Sequence, residues 1–553
     1  MKKNWFNFLF LFFLQISAQS YTKNDSLKGS NTQFRNWWDV QFYEITVETN
    51  SVDKSIQGKV EMRFNKINET NHYKMQIDLQ QPMQVSSFKI IFLDKNKTSK
   101  TIPKNLIERK YDFYFLDLSS FKDLLDKHET VLEMQFSGQP KIAKQPPWKG
   151  GWVFEKDKNG NDFISVACQT DGASLWYPNK DFWGDEPNEG AILNIITPKN
   201  LVGIGNGKLI QKRALENDKT QYTWIVTNPI NTYNIVPYIG KYRNFNEVYN
   251  GKEGLLNLDY WVLQENLTKA KNQFEQVKPM MQCFEDWFGA YPFYQDSYKL
   301  VEAPYLGMEH QSNIAYGNQY KNGYLGLDLS QSGWGLDWDY ILVHESGHEW
   351  FGNAISANDM ADMWIHEAFT TYSEVLFTEC KHGKKAANEY AIGLRMEIEN
   401  KEPIIGKYGV NKEGSVDMYR KGANMIHSFR QILDDEILFK NLLKKLMLTF
   451  KNKTINSEIL ITKINEFTGK DFTNFFNQYL KTTEIPRLLI KKQKNKIQYK
   501  WDETQTYPQS FSIKLKDGTW LYPNPMEWKI IKLTKKNKFV LDSKFYIELK
   551  EIK

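Results

Sequence analysis

At 553 residues the chain is too long for a single hydrophobic core and has room for about three or four domains. Apolar residues make up 41%, charged residues 25% and aromatic residues 15%, which excludes a disordered or low-complexity chain. The 72 basic and 66 acidic residues leave a net charge of +6 spread along the sequence, and no stretch is basic enough for long enough to form a nucleic-acid arm.

Lys2 and Lys3 precede an apolar run from Trp5 to Ile16 that ends in the small residues Ser17 and Ala18. This is the layout of a secretory signal peptide cleaved after Ala18, and it places the mature protein in the periplasm or outside the cell. The run is shorter than the ~20 residues a bilayer span needs, and no later segment reaches that length, so no membrane span is expected. No cysteine lies near the cleavage point to carry a lipid. Cys168, Cys283 and Cys380 are odd in number and lack metal-type spacing, so at most one disulfide is expected.

From Trp38 to Tyr242 the pattern alternates with period two. Val60, Met62 and Phe64 interleave with Lys59, Glu61 and Arg63; Tyr73, Met75, Ile77 and Leu79 interleave with Lys74, Gln76 and Asp78. Such alternation predicts half-buried strands of an antiparallel sandwich. After Leu263 the period becomes helical, over Lys269–Trp287, Tyr340–Asn353, Met363–Cys380, Lys421–Leu433 and Ser457–Phe467. Strands return after Pro486, at Ile497, Tyr499 and Trp501, then Phe511, Ile513 and Leu515, then Phe545, Ile547 and Leu549. The expected class is α+β multidomain: a signal peptide over 1–18, a β domain over 19–255, a mainly helical domain over 256–485 and a small β domain over 486–553.

The helical domain carries His344-Glu345-Ser346-Gly347-His348. In a chain with eight histidines this pattern arises by accident in only about one case in a hundred. Residues four apart share a helix face, so both imidazoles can reach one ion, with Glu345 beside them to hold and deprotonate a bound water. Asp337 and Asp339 suit the N-terminal end of such a helix, and Ile341, Leu342 and Val343 supply buried surface. A catalytic zinc takes three protein ligands and keeps one open position. Glu367, eighteen residues beyond His348 in Trp364-Ile365-His366-Glu367-Ala368-Phe369, is the candidate third ligand, across a gap that holds a helix end, a connection and a second helix. His366 points about 100° away from Glu367 on a helix and is read as a wall residue or one that supports a ligand from behind. Glu374, seven positions after Glu367, shares its face and is placed to orient a ligating histidine.

At these residues the sequence resembles the gluzincin aminopeptidase family that includes aminopeptidase N and leukotriene hydrolase. The likeness covers His344 to Asn353 (HESGHEWFGN) and Asp362 to Phe369 (DMWIHEAF), with the family's zinc-ligand spacing. Leu306-Gly307-Met308-Glu309-His310 resembles the family's GxMEN exopeptidase motif, whose glutamate binds the substrate's free α-amine; that role falls to Glu309, with Gly307 and Met308 lining the substrate. Gln169, nine positions before Pro178 in QTDGASLWYP, resembles the residue that assists amine binding. Tyr419, in Tyr419-Arg420-Lys421-Gly422-Ala423, resembles the tyrosine whose hydroxyl stabilises the tetrahedral intermediate.

The family implies an N-terminal β-sandwich, a thermolysin-like catalytic domain and a small C-terminal β-sandwich. It also implies one zinc per chain, held by His344, His348 and Glu367, and peptide substrates with free N-termini. His310 stands where the family has Asn, Leu306 where it has Gly, and His366-Glu367-Ala368 where it has Asn-Glu-Gly. The first two bear on substrate range. The residues after Pro486 are too few for the large helical domain of many members, which implies a more open cleft. A zinc aminopeptidase is the expected function; a zinc endopeptidase with the same site and a catalytically inactive peptide binder are the alternatives.

Overall fold

Strands fill the first half of the chain because apolar residues recur at every second position. In the computed structural model, which describes residues 21–533 and 539–553, an eight-stranded sheet is built around Trp38–Asn50. This strand pairs antiparallel with Ser55–Lys66, placing Ile45 opposite Val60, and parallel with Ala191–Pro198, placing Ile45 opposite Leu193. Val60, Met62 and Phe64 are buried, as their alternation requires. A four-stranded and a three-stranded sheet complete this β unit, and Trp37, Trp38, Trp152 and Trp176 lie in its core. The expected signal peptide lies outside the described residues.

The next hairpin, Tyr242–Gly251 with Gly254–Leu263, joins a different sheet. Its second strand runs parallel to Tyr298–Glu302, which pairs with Ile314–Tyr316, and Gly307–Met308 forms the sheet's edge. A division after residue 255 therefore cuts through a hairpin. Leu256, Leu258, Tyr260 and Val262 belong to the core of the helical unit, although their period matches that of the strands before them.

The helices depart from the sequence reading in instructive ways. The expected helix over 269–287 is interrupted by a 3-10 turn, Phe274–Gln276, between Leu267–Gln273 and Val277–Phe288. The one starting at Tyr340 ends at Gly347, with His348 as its C-cap, instead of running to Asn353. The segment Trp364–Gly393 outruns its expected end and bends at Gly383, whose φ of 83° suits glycine. Asp417–Leu433 and Ser457–Thr468 appear as expected, whereas Glu436–Phe450 and Thr473–Lys481 were not read as helices. Cys283 and Cys380 form a disulfide between Val277–Phe288 and Trp364–Gly393, and Cys168 is free and buried. No helix among the described residues is long and apolar enough to cross a membrane.

The C-terminal unit is a four-stranded sheet, ordered Lys529–Lys532, Lys496–Trp501, Arg487–Gln493 and Glu548–Glu551, with a two-stranded ladder of Ile513–Lys514 and Trp520–Leu521. Its apolar face shares a core with the helices: Phe511 meets Phe475 edge-on at 5.3 Å, and Phe475 packs beside Phe429.

Candidate active site

Two helices meet at the site. The Tyr340–Gly347 helix starts at Asp339, whose carboxylate caps the Leu342 N–H at 3.2 Å and accepts the Tyr316 hydroxyl at 2.6 Å. Gly347 sits where the Trp364–Gly393 helix comes closest. A Cβ there would stand 2.5 Å from the Ser373 Oγ, so a larger residue would push the helices apart. His344 and His348 project side by side, with ring centroids 5.0 Å apart, and Glu367 faces both from the second helix. Its Oε2 lies 3.7 Å from His344 Nε2 and 3.4 Å from His348 Nε2.

Each imidazole is held from behind. His344 Nδ1 donates to Glu374 Oε1 at 2.7 Å, and Glu374 Oε2 accepts the Tyr390 hydroxyl at 2.6 Å. His348 Nδ1 donates to the Phe351 carbonyl at 3.0 Å, with the Thr370 hydroxyl 3.1 Å away. With both Nδ1 atoms used as donors, the neutral rings direct Nε2 lone pairs at the buried Glu367 Oε2, which has no hydrogen-bond donor. Three acceptors facing one another call for a cation. The field agrees: burial lowers the pKa of His344 and His348, yet the acidic partners, Glu367 foremost, outweigh it and push both up. Burial raises Glu367, but the two histidines more than offset this and hold it below the usual carboxylate range. The donor set of two imidazoles, each steadied from behind, and a carboxylate fits zinc with an open position.

Glu345 faces the same cavity, and burial pushes its carboxyl up to about 7. It packs against the edge strand: a Cβ on Gly307 would stand 2.7 Å from Ile341 Cγ2 and 2.8 Å from Glu345 Oε1, so a larger residue there would displace both side chains. Next along this segment, the Glu309 carboxylate accepts a hydrogen bond from Gln169 Nε2 and another from the Tyr233 hydroxyl at 3.0 Å. Burial raises its pKa, as does the charge of Glu367, while His348 lowers it. Ligand-type atoms of Glu309, Glu345 and His348 lie within 4.8 Å of one another. Tyr419 comes from the Asp417–Leu433 helix and stacks along His344 at 6.2 Å. Burial and the nearby Glu367, Glu309 and Glu345 raise its pKa and keep the hydroxyl protonated. The cavity of about 510 Å³ is lined by all nine candidates: Gln169, Gly307, Met308, Glu309, His344, Glu345, His348, Glu367 and Tyr419.

The remaining histidines near the motifs point elsewhere. His310 Nδ1 contacts the Tyr238 hydroxyl at 2.6 Å, and burial lowers the imidazole to about 3. His366 accepts the Ala357 N–H at 2.8 Å and stacks on Trp183, so it lies behind the cavity lining and serves packing. Asn353 donates from Nδ2 to the Glu309 carbonyl and to Glu349 Oε1, both at 2.9 Å, tying the histidine segment to the one that carries Glu309. Tyr233, Tyr390 and Thr370 escaped sequence reasoning. Thr370 carried a signal, since it lies one helical turn beyond Glu367. Tyr233 and Tyr390 carried none, being remote in sequence from any motif.

Known proteins give the same picture. A model described as the peptidase family M1 domain matches residues 272–479, and one described as the peptidase M1 N-terminal domain matches residues 40–234. Human aminopeptidase Q is 22% identical over 391 residues, covering 64% of this chain and 37% of that protein. Rat glutamyl aminopeptidase is 26% identical over 197 residues, covering 35% of this chain and 20% of that protein. The chain thus spans well under half the length of these curated relatives. Among solved structures, an M1 zinc metallopeptidase from Deinococcus radiodurans superposes with a TM-score of 0.68 at 17% identity, covering 84% of this chain and 98% of that one. Aminopeptidase A from Legionella pneumophila, solved with aspartic acid, gives 0.70 at 15% identity, covering 90% of this chain and 56% of that one. These likenesses establish the shared fold, and with both family models matched in chain order, this protein belongs to peptidase family M1.

Proposed function

We propose that this protein is a zinc-dependent aminopeptidase, exported from the cytoplasm, that binds one zinc per chain and removes the first residue of peptides with free N-termini. The observation that carries the reading is the convergence of His344 Nε2, His348 Nε2 and Glu367 Oε2 beside a buried carboxylate, Glu309, that faces the same cavity.

Zinc held by His344, His348 and Glu367 would polarise the scissile carbonyl and acidify a water. Glu345 takes the proton of the attacking water as its oxygen adds to the carbonyl carbon. It then delivers that proton to the amine nitrogen as the C–N bond breaks. The Tyr419 hydroxyl, kept protonated, donates a hydrogen bond to the oxyanion. Glu309, held by Gln169 and Tyr233, pairs with the substrate ammonium and fixes the distance from it to the reacting carbonyl. Gly307 and Met308, at the sheet edge, line the bound chain.

The test is product analysis. A peptide with a free N-terminus should lose residues singly and in order, with activity lost on chelation and partly restored by zinc. Internal fragments as the first products would replace this reading with an endopeptidase. A purified protein without stoichiometric metal that still cleaves would overturn the zinc assignment.

A further inference from the structure

Charge is distributed unevenly around the cavity. Of its described lining residues, Glu309, Glu345, Glu367, Glu374 and Glu413 are acidic, whereas Arg420 is the one lysine or arginine. Arg420 follows Tyr419 on the Asp417–Leu433 helix. Its guanidinium pairs with Glu397 at 2.5 Å through one terminal nitrogen, and the side chain keeps 26% of its exposure. A guanidinium carries five N–H donors, so a second carboxylate has room to bind.

The two flanks of the cavity are distinct. Glu309 belongs to the His348 flank, sharing a cluster of ligand-type atoms with His348 and Glu345. Arg420 belongs to the His344 flank, where Tyr419 and Tyr340 stack on that imidazole at 6.2 and 5.2 Å and Tyr324 meets Tyr340 edge-on at 5.4 Å. Tyr324, Tyr340 and Arg420 line the same cavity as the two imidazoles. For a peptide whose ammonium rests at Glu309, on the His348 flank, the opposite flank with Tyr340, Tyr324 and Arg420 is the one left for its departing part.

We propose that Arg420 binds a carboxylate on the departing fragment, so that the enzyme favours short peptides carrying either a free C-terminal carboxylate or an acidic side chain just beyond the scissile bond. The inference rests on the aminopeptidase reading above. Arg420 is the one lysine or arginine among the described lining residues, which makes its flank the place that accepts a carboxylate.

Three tripeptides with one N-terminal residue test this: X-Ala-Ala as the free acid, the same peptide as its C-terminal amide, and X-Asp-Ala as the amide. In the wild type, at least one carboxylate-bearing peptide should exceed the neutral amide in kcat/KM by about 5–20-fold, the scale of a partly screened charge-assisted contact. A gain confined to the free acid assigns the chain terminus, one confined to the Asp peptide assigns the side chain, and either supports the proposal. Arg420→Gln should bring the ratio to near unity, and Arg420→Lys should keep part of it. Equal kcat/KM for all three in the wild type overturns the proposal, as does an undiminished ratio in Arg420→Gln. Failure of the wild type to cleave any of the three would instead overturn the aminopeptidase reading.

Discussion

The metal-type cluster and Glu309, the proposed amine anchor, face one cavity but are assembled in opposite ways. His344, His348, Glu367 and Glu374 all come from two neighbouring helices, and their convergence follows from helical periods and one close helix contact at Gly347. The anchor has no local logic. Gln169 reaches Glu309 across 140 positions and Tyr233 reaches it across 76, so the β unit and the edge strand must both be in place before the carboxylate is held. The cluster of His344, His348 and Glu367 is thus a property of one helix pair, whereas the setting of Glu309 is a property of how two units of the chain meet.

Variants should separate the two. The largest effect is expected from Glu345→Gln, which removes the proton carrier and leaves the metal ligands untouched. Turnover should fall about 10²–10⁴-fold while bound zinc, measured by elemental analysis, stays at wild-type stoichiometry. Near-normal turnover would mean that another group takes the proton. Tyr419→Phe comes next, with kcat reduced about 10²–10³-fold and little change in KM; a loss confined to KM would move Tyr419 from oxyanion stabilisation to packing. The smallest effect is expected from Tyr233→Phe, which removes one donor to Glu309 without touching the reacting centre. Its kcat/KM on free N-termini should fall about 3–10-fold with zinc retained, and loss of metal in this variant would show that the two halves are not separable.

The contrast also explains what could be read without coordinates. The clustering of His344, His348 and Glu367, Glu345 beside them and the Glu374 contact to His344 were legible because each depends on spacing along one or two helices. The Cys283–Cys380 bridge was legible only as a limit of one. The sheet to which Tyr242–Leu263 belongs was not legible, since period two is the same whichever sheet a strand joins. The early end of the Tyr340 helix was hidden because Trp350 and Phe351 continue an apolar pattern as buried turn residues, while Gly352 takes a φ of 126°. The Leu-rich stretch Glu436–Phe450, capped by Asp435, gave a helical signal that its neighbours' polar residues obscured. Tyr233 could be found only in three dimensions.

The central claim is that Glu309 counts residues by binding a free α-amine, and a matched pair of peptides, one free and one N-acetylated, tests it most directly. Acetylation removes the charge that pairs with Glu309 and leaves the scissile bond unchanged. Wild-type kcat/KM should be high for the free peptide and nearly absent for the acetylated one. In Glu309→Ala the free peptide should lose about 10–10²-fold or more, and the acetylated one far less, so that the preference narrows. Equal cleavage of both peptides by the wild type, at internal bonds, would contradict the account and leave an endopeptidase in its place.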